Sequence, residues 1–484
     1  MHIAASRLLI AALIAGVAGD LLLRGGTMWR LGFAIWITGL VASVIVLDRS
    51  GSRERKLMLV GIVVAALGLV LRDAPMLYAI DFLSLLCMGV LIVWHGSGRT
   101  LADLSIVESL RAGVLAATNT LGGAVRVLSR SAAERAPHGP DTGRTRALLI
   151  GVVLTVPPLA VVTVLLMSSD KVFQGLLQRI ANSLTFDVFV IVLVAWVSAG
   201  WLSAATGDVL GATVQAPTSP RLRFATIAVP LYSLIALLTL FLITQTRVLF
   251  GGAEFLRQTE GLTVANYARD GFFQLILAAG IVLGTLVVAE WLLLFDARAR
   301  RQYHIAGAIL LGLVTALLVS AAARVGIYVQ IFGHSVDRIF ACAAIIWVLA
   351  ALVTCAMTTL RNRPLRFAST TVKVTIVWVV LINAVNPEAL VVRLNIARAV
   401  AGAPFDAQYH AQLSADAVSS LVSHAVQLST AECQAVRTEL SRAWNARQTP
   451  SVAKDSHWRG LSLPLARAEQ WYAAGAAVQC NASP

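Results

Sequence analysis

The sequence predicts an all-α protein: a polytopic transmembrane helix bundle of about eleven spans with a small helical extramembrane domain at its C-terminal end. Three observations lead there. The 484 residues are 58% hydrophobic and 13% charged, against roughly 25% charged in soluble domains, and the mean hydropathy is +0.78. Apolar runs of about 20 residues recur along the chain, each long enough for the hydrocarbon layer of a bilayer. Arginines gather in the short segments between those runs, the pattern of positive-inside topology and of contact with anionic headgroups. The net charge of +14 therefore points to the lipid bilayer as partner, and not to nucleic acid.

Taken in order, the chain opens with an apolar run at 8–23 flanked by Arg7 and Arg24. It has the short apolar core of a signal peptide, but little charge precedes it and a second run follows at once. It reads as a retained first helix. Further spans are expected at 31–47, 57–71, 76–94, 147–167, 186–205, 224–246, 272–295, 304–323, 339–360 and 370–386, of which 57–71 is marginal in length. Residues 1–94 thus form an N-terminal group of transmembrane helices, and 147–386 the main bundle with its external loops. Between them, 95–146 begins with an amphipathic piece in which Asp103, Glu108 and Arg111 interrupt apolar residues, expected along the cytoplasmic membrane surface. It ends in SRSAAERAPHGPDTGRTR, a Pro/Gly/Ser/Arg-rich tether expected to be disordered. Residues 387–484 hold helix-like stretches and no spanning run, and read as a small helical domain.

Basic residues in alternate loops set the orientation. One set carries Arg49, Arg53, Arg55 and Lys56, the arginines from Arg99 to Arg146, Arg221 and Arg223, Arg298, Arg300 and Arg301, and Arg361, Arg363 and Arg366. The other set, with Arg24, Arg30, Arg72, Lys171, Arg179, Arg247, Arg257, Arg269, Arg324 and Arg338, is about half as basic. Placing the richer set in the cytoplasm puts the N-terminus inside and, with an odd number of spans, the C-terminal domain outside. Cys87, Cys342 and Cys355 fall in apolar runs and read as small buried hydrophobes. Cys433 and Cys480 lie in the C-terminal domain. In an oxidising space they would form a disulfide that staples a small domain; otherwise they are two unrelated thiols.

An acid within hydrocarbon is costly, so Asp20, Asp81 and Glu290 should face the bundle interior and form an intramembrane polar site or simply pair with basic partners. Asp81 stands out because no basic residue follows it within a helical turn. The stretch from Arg247 to Gln274 is the most polar and aromatic one among the spans. Its Glu254, Arg257, Glu260, Tyr267, Arg269 and Asp270, with Tyr328 and Arg338 of the later RVGIYVQIFGHSVDR loop, form a candidate external motif site. Arg257 and Arg269 would clamp an anionic group, or pair with the neighbouring acids and hold a cap over the bundle.

Signatures of soluble catalysis such as GxSxG, HExxH, Walker A or GxGxxG in a strand–helix context are not found, and the histidines show no metal-ligand spacing. No catalytic residue, metal or cofactor is assigned. The pieces AGDLLLRG, LLMSSDKVF, LTVANYARDGFFQL, RVGIYVQIFGHSVDR and NPEALVVRLNIARA…FDAQYHAQLSADAVSSL together resemble the bacterial domain-of-unknown-function 4153/4173 family of multi-pass membrane proteins. Val392–Arg393–Leu394–Asn395 departs from the pattern in its apolar lead-in, and the tail with Cys433 and Cys480 does not map onto it. The resemblance implies fold, location in the bacterial inner membrane and no particular activity.

The reading that follows is a non-enzymatic scaffold, sensor or assembly factor with an external working face, whose partners are the bilayer and other membrane or envelope proteins. The alternative is a transporter or lipid-handling protein that uses the intramembrane Asp residues and the external Arg residues.

Overall fold

The computed structural model describes residues 4–23, 30–48, 52–103, 106–135, 184–208, 222–258, 272–293, 296–361, 366–447, 460–473 and 480. Among them the architecture is helical, with one isolated backbone bridge between Leu222 and Leu293. The run at 147–167, the SSDKVF piece, the tether beyond residue 135 and residues 259–271 lie outside the described residues.

The N-terminal group comprises α1 (Ala5–Leu23), α2 (Leu31–Leu47), α3 (Arg53–Leu71) and α4 (Pro75–Gly96). Helix α5 (Ile106–Arg135) follows, then α6 (Leu184–Ala205). A second group comprises α7 (Phe224–Gln258), α8 (Phe272–Leu292), α9 (Ala297–Phe332), α10 (Val336–Thr358) and α11 (Phe367–Val385). The C-terminal domain contains α12 (Pro387–Val400), α13 (Ala407–Gln412), α14 (Ala415–His424), α15 (Thr430–Arg447) and α16 (Leu463–Ala473). Among the described residues, six helices are long and apolar enough to cross a membrane: α1, α4, the 224–243 part of α7, α9, α10 with its following turn, and α11. Shorter apolar helices lie at Leu31–Leu47, Val190–Ala205 and Leu275–Glu290.

Local chemistry explains the helix starts. Ser52, Asp296, Ser335, Asn386, Asp406 and Ser414 each accept a hydrogen bond from a backbone N–H of the turn they open, satisfying donors the helix itself cannot. Pro75 and Pro387 begin α4 and α12, where a missing N–H costs nothing.

Packing produces three cores. One joins α1–α4 with Leu202 and Ala205 of α6, and a second joins α7–α10. The third lies inside the C-terminal domain, built from Val392, Ile396, Leu421, Val436, Leu440 and their neighbours. Large apolar side chains such as Ile14, Leu83, Leu240, Ile346 and Leu381 are exposed on the outer faces of the spans, as a lipid-facing surface requires. The amphipathic α5 packs along α6: Trp196 donates to the Leu121 carbonyl at 2.8 Å, and Gly123 and Gly200 bring the two backbones together.

The helices sort their polar ends. The α3–α4 turn, the end of α11 and the α9–α10 turn all meet the C-terminal domain, and Arg30 joins them through Asp73. At the other end of the same helices stand Ser52 with His95, Arg55 with Asp48 and the Ala205 carbonyl, and Arg300 with Glu290.

Candidate functional site

The richest polar constellation is the junction between the bundle and the C-terminal domain. It begins with two helix N-termini that cap each other. Asp416, in the first turn of α14, accepts the backbone N–H of Asp73 at 2.6 Å and of Ala74 at 2.8 Å, where the chain enters α4. Asp73 returns the contact, its Oδ2 accepting the Ala415 N–H of α14 at 3.2 Å. Each carboxylate thus sits at the positive end of the other's helix dipole. The second oxygen of Asp73 takes Arg30 at 2.7 Å.

Arg72 extends the network. Its Nε donates to the Asn383 carbonyl at 2.6 Å and a terminal nitrogen reaches Ala384 at 3.4 Å, so the guanidinium covers the last carbonyls of α11. The same side chain stands 3.7 Å from Asp416. Asn386, in the left-handed region at φ 51°, closes the link between α11 and α12 and donates to the Asp416 carbonyl at 3.2 Å. Glu388 accepts both the N–H and the hydroxyl of Ser414, at 2.8 and 2.6 Å. Burial raises the Glu388 and Asp416 carboxyls above the ordinary carboxylate range; the Ser414 bonds oppose this at Glu388, and the Asp73 and Ala74 amides with Arg72 oppose it at Asp416.

A second contact pins the α9–α10 turn. Asn395 on α12 accepts the His334 N–H and donates to the His334 carbonyl, both at 2.8 Å. Those two backbone groups determine which way the amide points, so its Nδ2 also faces His410 Nε2 at 3.0 Å as a donor. His410 Nδ1 lies 2.6 Å from the Asp406 carbonyl and must carry the proton. The imidazole is therefore neutral, and burial, as the main cause, holds it below the usual histidine range. Arg398 donates to Gln330 at 2.9 Å, and Tyr409 accepts the Val336 N–H at 3.0 Å. Gly333 ends α9 at φ 82°, and a side chain there would strike Arg398 and Asn395.

Asp81 lies below this junction on α4. It is fully buried, and Asn383 donates to its Oδ1 at 2.9 Å. Its Oδ2 has no hydrogen-bond partner among the described residues. Gly68 of α3 lies so near the carboxyl that a methyl group would collide with it. Asp20 is buried near the end of α1. Glu290, by contrast, sits near the end of α8 with Arg300 at 3.9 Å, at the far end of the bundle from Asp81. Tyr328 and Arg338 do come together, the guanidinium 4.1 Å from the ring centre, and Arg338 also donates to the Gly333 carbonyl. Glu254 and Arg257 fall in α7 but their side chains lie outside the described set, as do Glu260, Tyr267, Arg269 and Asp270 altogether. Cys433 and Cys480 are joined in a disulfide that ties α15 to the tail.

Sequence reasoning missed Asp73, Asn383, Asn386, Glu388 and His410 as members of one site. The signal available was local: RDAP, NPE and SAD each read as a helix start.

A family model described as "Domain of unknown function (DUF4153)" matches residues 59–424. That interval contains both partners of every contact made by Asp73, Asn395 and Asp81, apart from Arg30. No curated protein and no solved structure matches.

Proposed function

The chain belongs to the DUF4153 family, and on that premise we propose that it is a non-enzymatic membrane scaffold or assembly factor of the bacterial inner membrane. Its external working face is the C-terminal domain. The observation that carries this reading is the interlocked capping of Asp73 and Asp416. A domain that docks by exchanging helix caps with the bundle is held in one orientation, as a platform for a partner must be. Asp73, Asn395 and Tyr409 each bond a backbone group across the junction, which suits a mount.

The orientation follows from charge. Arg53, Arg55, Lys56, Arg298, Arg300 and Arg301 gather at the end away from the domain, which favours the cytoplasm for that end. The domain then faces an oxidising space, in keeping with its disulfide. The three shorter apolar helices, α3 and the 147–167 run complete the proposed eleven spans.

The test is site-specific photocrosslinking in intact cells from the exposed positions Gln434 and Thr438 on α15. Discrete adducts with envelope proteins, lost in Asp416→Ala, are expected. Adducts absent from both positions, together with labelling of these positions only after the membrane is permeabilised, would overturn the reading.

One observation favours a second reading, transport of a proton or cation: the orphaned Oδ2 of fully buried Asp81. An Asp81→Asn protein of normal abundance that loses a measurable ion flux would support it.

A further inference from the structure

We propose that Asp81 is a proton-binding site, a neutral carboxylic acid held between α3, α4 and α11 that exchanges its proton on the side of the C-terminal domain. Two buried acceptors carry this. Asp81 is 0% exposed, and its Oδ2 has no hydrogen-bond partner among the described residues. The amide of Asn383 donates through Nδ2 to Asp81 Oδ1 at 2.9 Å and to the Val379 carbonyl at 3.0 Å. Both partners accept, which fixes the amide and leaves its Oδ1 buried and equally unmatched among the described residues. Two oxygens without a donor are costly about 9 Å along α4 from Pro75. One proton on Oδ2 removes the charge and turns one of these acceptors into a donor. A metal cation suits the place less. It takes about six or more oxygens, whereas α3 closes over the carboxyl so tightly at Gly68 that a methyl group would collide with it.

The surroundings give the site one polar side. Leu85, Met88 and Ile92 follow Asp81 on the same face of α4 and belong to the apolar core, so the way towards the far end is apolar. Towards the C-terminal domain stands Arg72 of α3, which acts on Asp81 electrostatically. Its Nε donates to the Asn383 carbonyl at 2.6 Å, and it faces Asp416 at 3.7 Å. Tyr78 lies one turn back on α4, and Asp73 follows Arg72 in the chain. An ionised Asp81 competes with Asp416 and the end of α11 for the Arg72 guanidinium; a neutral one leaves it to the junction. The bound proton thus supports the docking of the C-terminal domain. This inference rests on the transport reading only in taking Asp81 as the ionisable centre, and the two part on whether the proton crosses the membrane.

Infrared spectroscopy of the full-length protein in proteoliposomes reads the protonation state. The parent spectrum minus that of Asp81→Asn should contain the C=O stretch of a protonated acid at neutral pH. Alkaline buffer on the domain side should remove it. Carboxylate bands in its place at neutral pH would overturn the site. Asn383→Leu removes the donor to Oδ1 and should move the parent's band to higher frequency, which keeps the test decisive if Asp81→Asn does not fold. An unmoved band would place the acid elsewhere. At alkaline pH, limited proteolysis should release the C-terminal domain of the parent at up to about fivefold lower protease concentration than that of Asp81→Asn, the weight of one modest charge contact. The other groups of the junction titrate in both proteins, so equal release would overturn the coupling. A proton flux through the parent that stops in Asp81→Asn would replace the one-sided site with transport. An acid band without such a flux supports the site and removes the transport reading.

Discussion

Asn395 binds both backbone groups of His334, accepting from its N–H and donating to its carbonyl at 2.8 Å each. Helix α12 is thereby joined to the α9–α10 turn through one amide, and no other side chain of that size offers a donor and an acceptor in the same plane. Asn395→Ala leaves both groups of His334 unmatched against a buried surface, at a cost of about 2–4 kcal/mol. Limited proteolysis of the purified protein should release the C-terminal domain at markedly lower protease concentration. Asn395→Asp keeps the acceptor and loses the donor, and should fall between the two.

Asp416 serves two amides and faces Arg72. Asp416→Ala leaves the start of α4 uncapped and Arg72 short of a counter-charge, with an expected loss of about 3–5 kcal/mol. Asp416→Asn retains an acceptor and should recover part of that loss. Thermal unfolding in detergent measures both; equal melting temperatures for the two variants would show that the retained acceptor is of no consequence there.

The neutral state of His410 gives the junction a pH dependence. Its folded pKa is lowered by burial, so the stability it contributes is present above the unfolded value near 6.5 and is lost as pH falls towards the folded one. Glu388 and Asp416, whose carboxyls are raised, work in the opposite sense: their contribution is largest at low pH and declines as pH rises through their folded values. A His410→Gln variant should therefore lose the destabilisation seen on acidifying from about pH 7 to 5.5, read as melting temperature against pH. An unchanged slope would place the titrating group elsewhere.

Gly68 and Asp81 share one space, because any side chain at 68 meets the carboxyl. Gly68→Ala should force α3 and α4 apart and cost about 1–3 kcal/mol. Asp81→Ala opens that space, so the double variant should be more stable than Gly68→Ala alone. A double-mutant cycle on melting temperatures decides it, and additive effects would show that the two do not touch.

The disulfide of Cys433 and Cys480 closes a loop of 47 residues, which predicts a contribution of about 4 kcal/mol from the constrained unfolded chain. Reduction should lower the protection of α15 and α16 in hydrogen exchange and leave α9 and α10 unchanged.

Much of this was legible in the sequence, and the reasons differ by residue. Apolar runs such as 76–94 announce α4 because hydrocarbon demands length and composition together. Asp81 was legible as an interior acid because nothing else on its helix can answer the charge. Tyr328 and Arg338 lie ten positions apart around a short turn, near enough for the pattern to group them. The junction was not legible. Asp73 and Asp416 are ordinary capping residues, and nothing in RDAP or SAD shows that each caps the other's helix 342 positions away. Asn395 lies in apolar surroundings that made it look like a departure from the family pattern, whereas it is the residue that holds His334.

The exchange between Asp73 and Asp416 also orders the biogenesis of the molecule. The start of α4 emerges from the ribosome more than three hundred residues before its acceptor, an interval on the order of tens of seconds at ordinary elongation rates. Until then the amides of Asp73 and Ala74 must be served by water, and α4 stays uncapped. A chain truncated anywhere before residue 416 never completes that helix start. Closure of the junction is thus a late event, open only to a chain whose synthesis has passed residue 416.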